Sequence, residues 1–308
     1  MSEVTDRKTP TVGEVSVEAA PERLSPRRLL YYRMQRHFGF KVGLGMLVFV
    51  ILIAIFAPLL APYDPYTQDL PNRLIQPVWS DSGSWAHVLG TDALGRDYLS
   101  RLIYGAQISL VIGFSAMIIS GVIGTAMGIA AGYFGGRVDM VISFIILNRL
   151  SMPVVLVALA VVSIFGNSLF IMIMVLGLLL WDRFAVVLRS ATLQVRSIEY
   201  VAAAEVLGSS VPRILFRDIL PNISGHLLVV ASIEMAHAIL LEASLSFLGL
   251  GVQPPLPSWG LMVSEARQFM FFMPWMITIP GAAIFAVVLA INLLGDGLRD
   301  VTSPEGRN

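Results

Sequence analysis

The chain has 308 residues, zero net charge, 56% apolar and only 14% charged residues, and a mean hydropathy of +0.76. A soluble domain carries about a quarter charged residues, so the composition points to a polytopic membrane protein and gives no reason to expect a nucleic-acid partner. Cysteine is absent, which excludes disulfides, iron–sulfur ligation and thiol chemistry, and neither lysine (Lys8, Lys41) lies in a glycine-rich loop, which excludes a phosphate-binding loop.

Residues 1–25 are polar and aperiodic and read as a disordered tail. Arg23, Arg27, Arg28, Arg33, Arg36 and Lys41 follow, with no acid among them. The apolar run 42–61 can cross a bilayer core of ~30 Å at ~1.5 Å per residue. Its long polar leader argues against a cleaved signal peptide. The basic cluster places the N-terminus in the cytoplasm. Further spans are expected at 109–131, 140–165, 169–188, 227–247 and 276–294, so six spans return the C-terminus to the cytoplasm.

The loops are consistent with this topology. Residues 62–104 fall outside and carry Asp64, Asp69, Asp81, Asp92 and Asp97 against Arg73, Arg96 and Arg101. Residues 183–226 fall inside and carry Arg183, Arg189, Arg196, Arg213 and Arg217, the expected cytoplasmic excess. The outer segment reads either as a cover over the outer mouth or as an ordinary connection. In the second span Gly124 and Gly128 form a GxxxG step. That step suits close helix packing, but glycine is also simply common in membrane helices.

Residues 199–222 form a polar stretch between the fourth and fifth spans. Ala204 and Gly208 share a helical face with little side-chain bulk, preceded by Ala202 and Ala203. Ser209, Ser210 and Pro212 read as the cap and first turn of a second short helix, and Pro221 is expected to break it. The pair reads as a docking element for a partner that supplies energy.

A charge at mid-bilayer costs roughly 2.5–3.5 kcal/mol on insertion scales. Arg149, Glu234, His237 and Glu242 are therefore expected to avoid lipid. They are candidates for a translocation path. The competing reading is that they anchor neighbouring helices, and for Glu242 it is slightly favoured. Glu234 and His237 form one E-x-x-H step with no second to complete a di-iron set, so no metal site is expected. No G-x-S-x-G or other catalytic set supports an enzyme.

Three stretches carry a family resemblance. They are 87–110 (HVLGTDALGRDYLSRLIYGAQISL), 199–222 (EYVAAAEVLGSSVPRILFRDILPN), and 242–260 (EASLSFLGLGVQPPLPSWG) followed by 292–300 (NLLGDGLRD). In that order they resemble the permease subunits of the dipeptide/oligopeptide/nickel ABC importers. The resemblance implies an all-α, six-span permease of the type I importer kind, with a cytoplasmic EAA coupling helix. The permease domain would be 105–302, after an N-terminal region 26–104 that holds the first span and outer loop. Carried over residue by residue, the ATPase-coupling positions are Glu199, Tyr200, Ala203, Ala204, Gly208, Ile219, Leu220, Pro221 and Asn222. The extracytoplasmic motif is Gly90, Thr91, Asp92, Gly95, Arg96 and Asp97. The chain departs from the family pattern at Val88, Gln107, Ala202 (usually Glu) and Asp218 (usually His). Phe144 and Leu147 stand where the family commonly has an Arg and an Asp facing the path.

The resemblance further implies a homologous permease partner, two ATPase subunits that bind ATP and Mg, and an extracytoplasmic solute-binding protein. It places the chain in a bacterial plasma (inner) membrane, with no cofactor of its own. The expected cargo is a dipeptide or oligopeptide, with nickel, glutathione or opines as alternatives. A proton-coupled carrier using Glu234 or Glu242 is the alternative from another class.

Overall fold

The structure, a computed structural model, describes residues 34 and 36–302. The expected disordered tail and the arginines up to Arg33 lie outside the described residues. Helix α1 (Phe38–Ile55) opens on His37, whose Nδ1 accepts from Phe40 N at 3.1 Å. A folded loop leads from α1 to α2 (Tyr98–Phe134). Asp97 caps α2 by accepting from Ser100 N at 2.8 Å. At 37 residues α2 is roughly 55 Å long, well beyond the apolar thickness of a bilayer.

Helices α3 (Gly136–Leu150) and α4 (Val154–Phe165) meet at an angle of 84°. The expected continuous span over 140–165 is therefore a broken one. Pro153 has no N–H to give and its ring crowds the preceding turn, and the residue before a proline disfavours the helical region. Helices α5 (Leu169–Leu179) and α6 (Trp181–Arg196) follow, interrupted only at Leu180. Among the described residues, five helical stretches are long and apolar enough to cross a membrane, and six if the bent α3–α4 pair counts as one.

Helix α7 (Glu199–Val206) comes next. The chain then turns into Val211–Arg213, a π-helical segment Ile214–Ile219, and α8 (Leu220–Phe247). Pro221 was expected to end a helix, yet the helix runs through it. It sits in the first turn of α8, where Leu220 N reaches back five residues to Leu215 O. The wider π turn relieves the clash that a proline ring makes in an α-helical interior. Helix α9 (Trp259–Ala266) is capped by Ser258, and α10 (Trp275–Thr302) closes the fold.

Contacts fix which ends of the helices lie together. His37 Nε2 lies 2.9 Å from Asp300 Oδ2, and Arg196 stacks over Tyr133 at 5.5 Å. Residues 199–222 thus share one end of the bundle with the starts of α1 and the finish of α10. The other end holds the loop before α2, α9 and the start of α10, where the Tyr98 and Trp275 rings meet edge to face at 5.2 Å.

Helices α2 and α6 run side by side along a seam of Gly124, Gly128 and Gly132. A Cβ on Gly128 would fall 2.7 Å from the Ala185 carbonyl oxygen, and one on Gly132 2.7 Å from Thr192 Cβ. The GxxxG step is a packing seam, and it is a turn longer than the sequence pair suggested.

Candidate functional site

Three regions hold the residues singled out in the sequence. The first is the loop end. Leu74 N donates to Asp92 O at 3.0 Å, Thr91 N to Ile75 O at 3.0 Å, and Val78 N to Val88 O at 3.1 Å, so the loop folds back on itself. Thr91 Oγ donates to Asn72 O at 2.6 Å. Gly90 and Gly95 take φ of +77° and +75°, conformations that L side chains rarely adopt. They let the chain turn on either side of Asp92. The loop between α1 and α2 is therefore an organised cover over this end of the bundle.

Asp92 is 3% exposed and sits at the centre of an ionic network. Its Oδ1 accepts from Leu94 N at 2.8 Å and Arg96 N at 3.0 Å. Its Oδ2 accepts from Arg96 Nε at 2.7 Å and also pairs with Arg101. Both arginines reach Glu265 of α9, at 3.1 Å from Arg96 and 2.7 Å from Arg101. Asp97 caps α2 and lies 2.9 Å from His87 Nδ1. The motif residues thus tie loop, α2 and α9 together. Arg101 and Glu265 belong to the same network and were not singled out in the sequence. Arg101 follows Asp97 by one helical turn, which was the available signal; Glu265 offered none.

The second region lies halfway along α8. Glu234 is wholly buried, with Oε1 3.3 Å from Arg183 Nη1 and Oε2 3.4 Å from His237 Nδ1. Arg149, the penultimate residue of α3, donates to the carbonyls of Leu179 and Met152. These side chains line a cavity of about 220 Å³ at the two helix breaks, α3–α4 and α5–α6. Irregular backbone at membrane depth is tolerated where it lines such a space. Three of the four expected path residues, Arg149, Glu234 and His237, come together here. Arg183 and Asp182 join them. In the sequence Arg183 stands out only as one of the arginines of residues 183–226.

Glu242 does not join them. It is 1% exposed, and its Oε1 accepts from Ser246 Oγ at 2.8 Å and Ser258 Oγ at 2.9 Å. Ser258 in turn caps α9 through Leu261 N at 3.0 Å. Glu242 is an anchor for α9, not a wall of the cavity. Eight helical residues turn through about 800°, which leaves it about 80° out of phase with Glu234. Phe144 and Leu147 point away from the core, 67% and 65% exposed.

The third region is residues 199–222. Val201 is buried against Leu188, Ile214, Ile219 and Ile223, and anchors α7. Tyr200 OH and Asn222 Nδ2 both donate to Asp218 O, at 3.2 and 2.6 Å. Burial, and then the Asp218 carboxylate, push the Tyr200 phenol above its ordinary pKa and keep it a donor. Glu199, Ala202, Ala203, Pro221 and Asn222 are exposed, Ala204 and Leu220 partly buried, and Ile219 fully buried.

Gly208 is not on the helical face with Ala204. It follows the C-cap Leu207 with φ +76°. Ser209 N donates to Ala204 O and Gly208 N to Glu205 O, both at 3.0 Å. That bond pair is a Schellman cap, which favours glycine because of the positive φ. A Cβ at Gly208 would meet nothing within 4 Å. Its requirement is backbone shape, where the sequence spacing suggested close approach. The cap thrusts Val206 and Leu207 into the open, 88% and 84% exposed.

Comparison with known proteins gives a consistent result. Residues 124–307 match the family described as the binding-protein-dependent transport system inner membrane component, and residues 25–77 match the N-terminal TM domain of oligopeptide transport permease C. The chain is 42% identical over 305 residues to the dipeptide transport system permease protein DppC of Escherichia coli (strain K12), covering 99% of each. It is 39% identical over 281 residues to DppC of Haemophilus influenzae, 91% of this chain and 95% of that one. Against the glutathione transport system permease protein GsiD of Pectobacterium atrosepticum it is 38% identical over 296 residues, covering 96% and 95%.

Among solved structures, an inward-facing form of the MetNI methionine ABC transporter aligns with a TM-score of 0.55 at 16% identity, over 66% of this chain and 96% of that one. That likeness speaks for the helical permease fold alone. The proton-coupled alternative finds no support in these matches. The chain belongs to the family of inner-membrane permease components of binding-protein-dependent transport systems; it is a membrane permease subunit and not an enzyme.

Proposed function

We propose that the chain is one of two homologous membrane subunits of an ATP-driven importer of dipeptides. The carrying observation is whole-length similarity, at about two residues in five, to permeases named for dipeptide transport. Glutathione is the second reading, favoured by the similarity to a glutathione permease over nearly as much of the chain. ATP and Mg are bound by two partner ATPase subunits, and a solute-binding protein delivers cargo at the loop end. The end that carries residues 199–222 is cytoplasmic, together with both termini. The arginines of residues 183–226 support that orientation.

The geometry suggests how coupling works. Helix α7 is held near its start, through the short link Ser197–Ile198 to α6 and through the Tyr200 hydroxyl to the π segment that leads into α8. The exposed tips Val206 and Leu207 enter an apolar recess on the ATPase. A push there moves α6, and the glycine seam carries α2 with it. The cavity between α3, α6 and α8 then changes its opening, which is alternating access by rigid-body motion. The exposed face of α3, with Phe144 and Leu147, is available for the partner permease.

Uptake tests this. The chain, a homologous permease, the two ATPases and the solute-binding protein are co-expressed, and entry of labelled Ala-Leu is followed. Uptake should need ATP and the binding protein, and should persist with a protonophore when ATP is clamped. Protonophore-sensitive uptake at constant ATP would overturn the proposal.

A further inference from the structure

The polar cavity at Arg149 does not stand alone. A second cavity, of about 260 Å³, adjoins it and shares Leu150, Arg183 and Glu234 with it. The two differ in character. The first is bounded by Arg149, Asp182, Arg183, Glu234 and His237. The second is otherwise walled by Val186, Val187, Val230 and Ile233. Arg183 stands between them with its side chain 52% exposed, so the pair opens to the outside of this subunit.

Glu234 is wholly buried and lies 3.3 Å from Arg183 and 3.4 Å from His237, and its Oε1 accepts no hydrogen bond among the described residues. Arg149 is not used up. Its Nη atoms donate to backbone carbonyls, and its Nε is buried without a partner among the described residues. A buried guanidinium donor without an acceptor is costly, and a planar carboxylate is the acceptor that a guanidinium fits best. Two arginines beside an apolar chamber make a site for a carboxylate that carries an apolar group.

The geometry points to a subsite for the C-terminal residue of the transported peptide: its carboxylate lies against Arg149 and Arg183, and its apolar side chain fills the chamber of Val186, Val187, Val230 and Ile233. Glu234 is a positioning residue that keeps Arg183 turned to the carboxylate. This permease therefore reads the cargo itself, and favours peptides that end in an apolar residue over those that end in a charged one. The inference rests on the peptide-importer reading and adds a place and a chemistry to it.

The absence of cysteine supplies the test. Met152 lines the polar cavity and is 54% exposed, so Met152→Cys gives this chain a single thiol at the site. Membrane vesicles with the complete importer are alkylated with a maleimide, and labelling of this chain is timed. Ala-Leu at about ten times its half-protecting concentration should slow labelling about tenfold by mass action. Ala-Leu amide, which lacks the carboxylate, and Ala-Asp should protect far less. Adding Arg149→Gln should raise the half-protecting concentration of Ala-Leu by about tenfold to hundredfold, the usual worth of a charged hydrogen bond. Adding Glu234→Gln should narrow the acid-to-amide ratio at unchanged membrane level, which a purely structural role would leave alone. Vesicles that take up Ala-Leu yet show no protection, or equal protection by acid and amide, overturn the subsite. Vesicles without uptake of any dipeptide instead overturn the importer reading.

Discussion

The two ends of the bundle are built on opposite plans. At the loop end, charge is buried and paired: Asp92, Arg96 and Arg101 are each under 5% exposed and close on Glu265. At the other end, α7 buries Val201 and turns Val206 and Leu207 outward with nothing over them. A buried ion network adds little net stability, because desolvation offsets the attraction, but it holds one arrangement against the alternatives. An exposed apolar tip specifies nothing within its own chain. The contrast separates a rigid cover from a surface shaped for something else.

The largest expected effect is at Asp92. Asp92→Ala leaves two buried arginines with Glu265 as their one shared carboxylate, and should destabilise the fold by about 3 kcal/mol. Thermal unfolding of the purified complex measures it; an unchanged transition would mean that the loop end is as loosely held as the other.

A smaller effect is expected at the cap. Gly208→Ala places a Cβ at φ +76°, at a cost of roughly 1–2 kcal/mol. Gly208→Asn, which tolerates that region, should recover much of the loss. Peptide-stimulated ATPase activity reports it, and an Ala variant more active than the Asn variant would return Gly208 to the small-face role.

The smallest effect on stability belongs to Val206→Ser with Leu207→Ser, within about 0.5 kcal/mol for exposed sites. Transport should nonetheless fall steeply while the chain stays in the membrane. Normal uptake by that double variant would remove the functional half of the comparison.

The apolar runs made most spans legible, because the bilayer sets a length that sequence can be checked against. Two prolines show where that stops. Pro153 and Pro221 both lie beside apolar runs, and both are strong helix punctuators. One leaves an 84° bend; the other is absorbed by a π turn and the helix goes on. Hydropathy is blind to the difference, which depends on whether the neighbouring turn can widen. Pairing was less legible still. The E-x-x-H step at Glu234 and His237 is local and visible, whereas the contact of Glu234 with Arg183 joins distant parts of the chain. Glu234 and Glu242 lie on one helix, yet packing sends one toward α6 and the other toward α9.

The π segment Ile214–Ile219 has one more effect. A π turn holds one residue beyond the α-helical number, so everything before it is rotated by about 100° about the helix axis relative to the residues after it. The facing direction of α7 relative to α8 is therefore encoded as a single extra residue. Deleting one residue there would lengthen no gap and remove no contact type, but would swing Val206 and Leu207 roughly a quarter turn away from whatever they now address. Phase, rather than composition, is what this segment of the chain conserves in its own geometry.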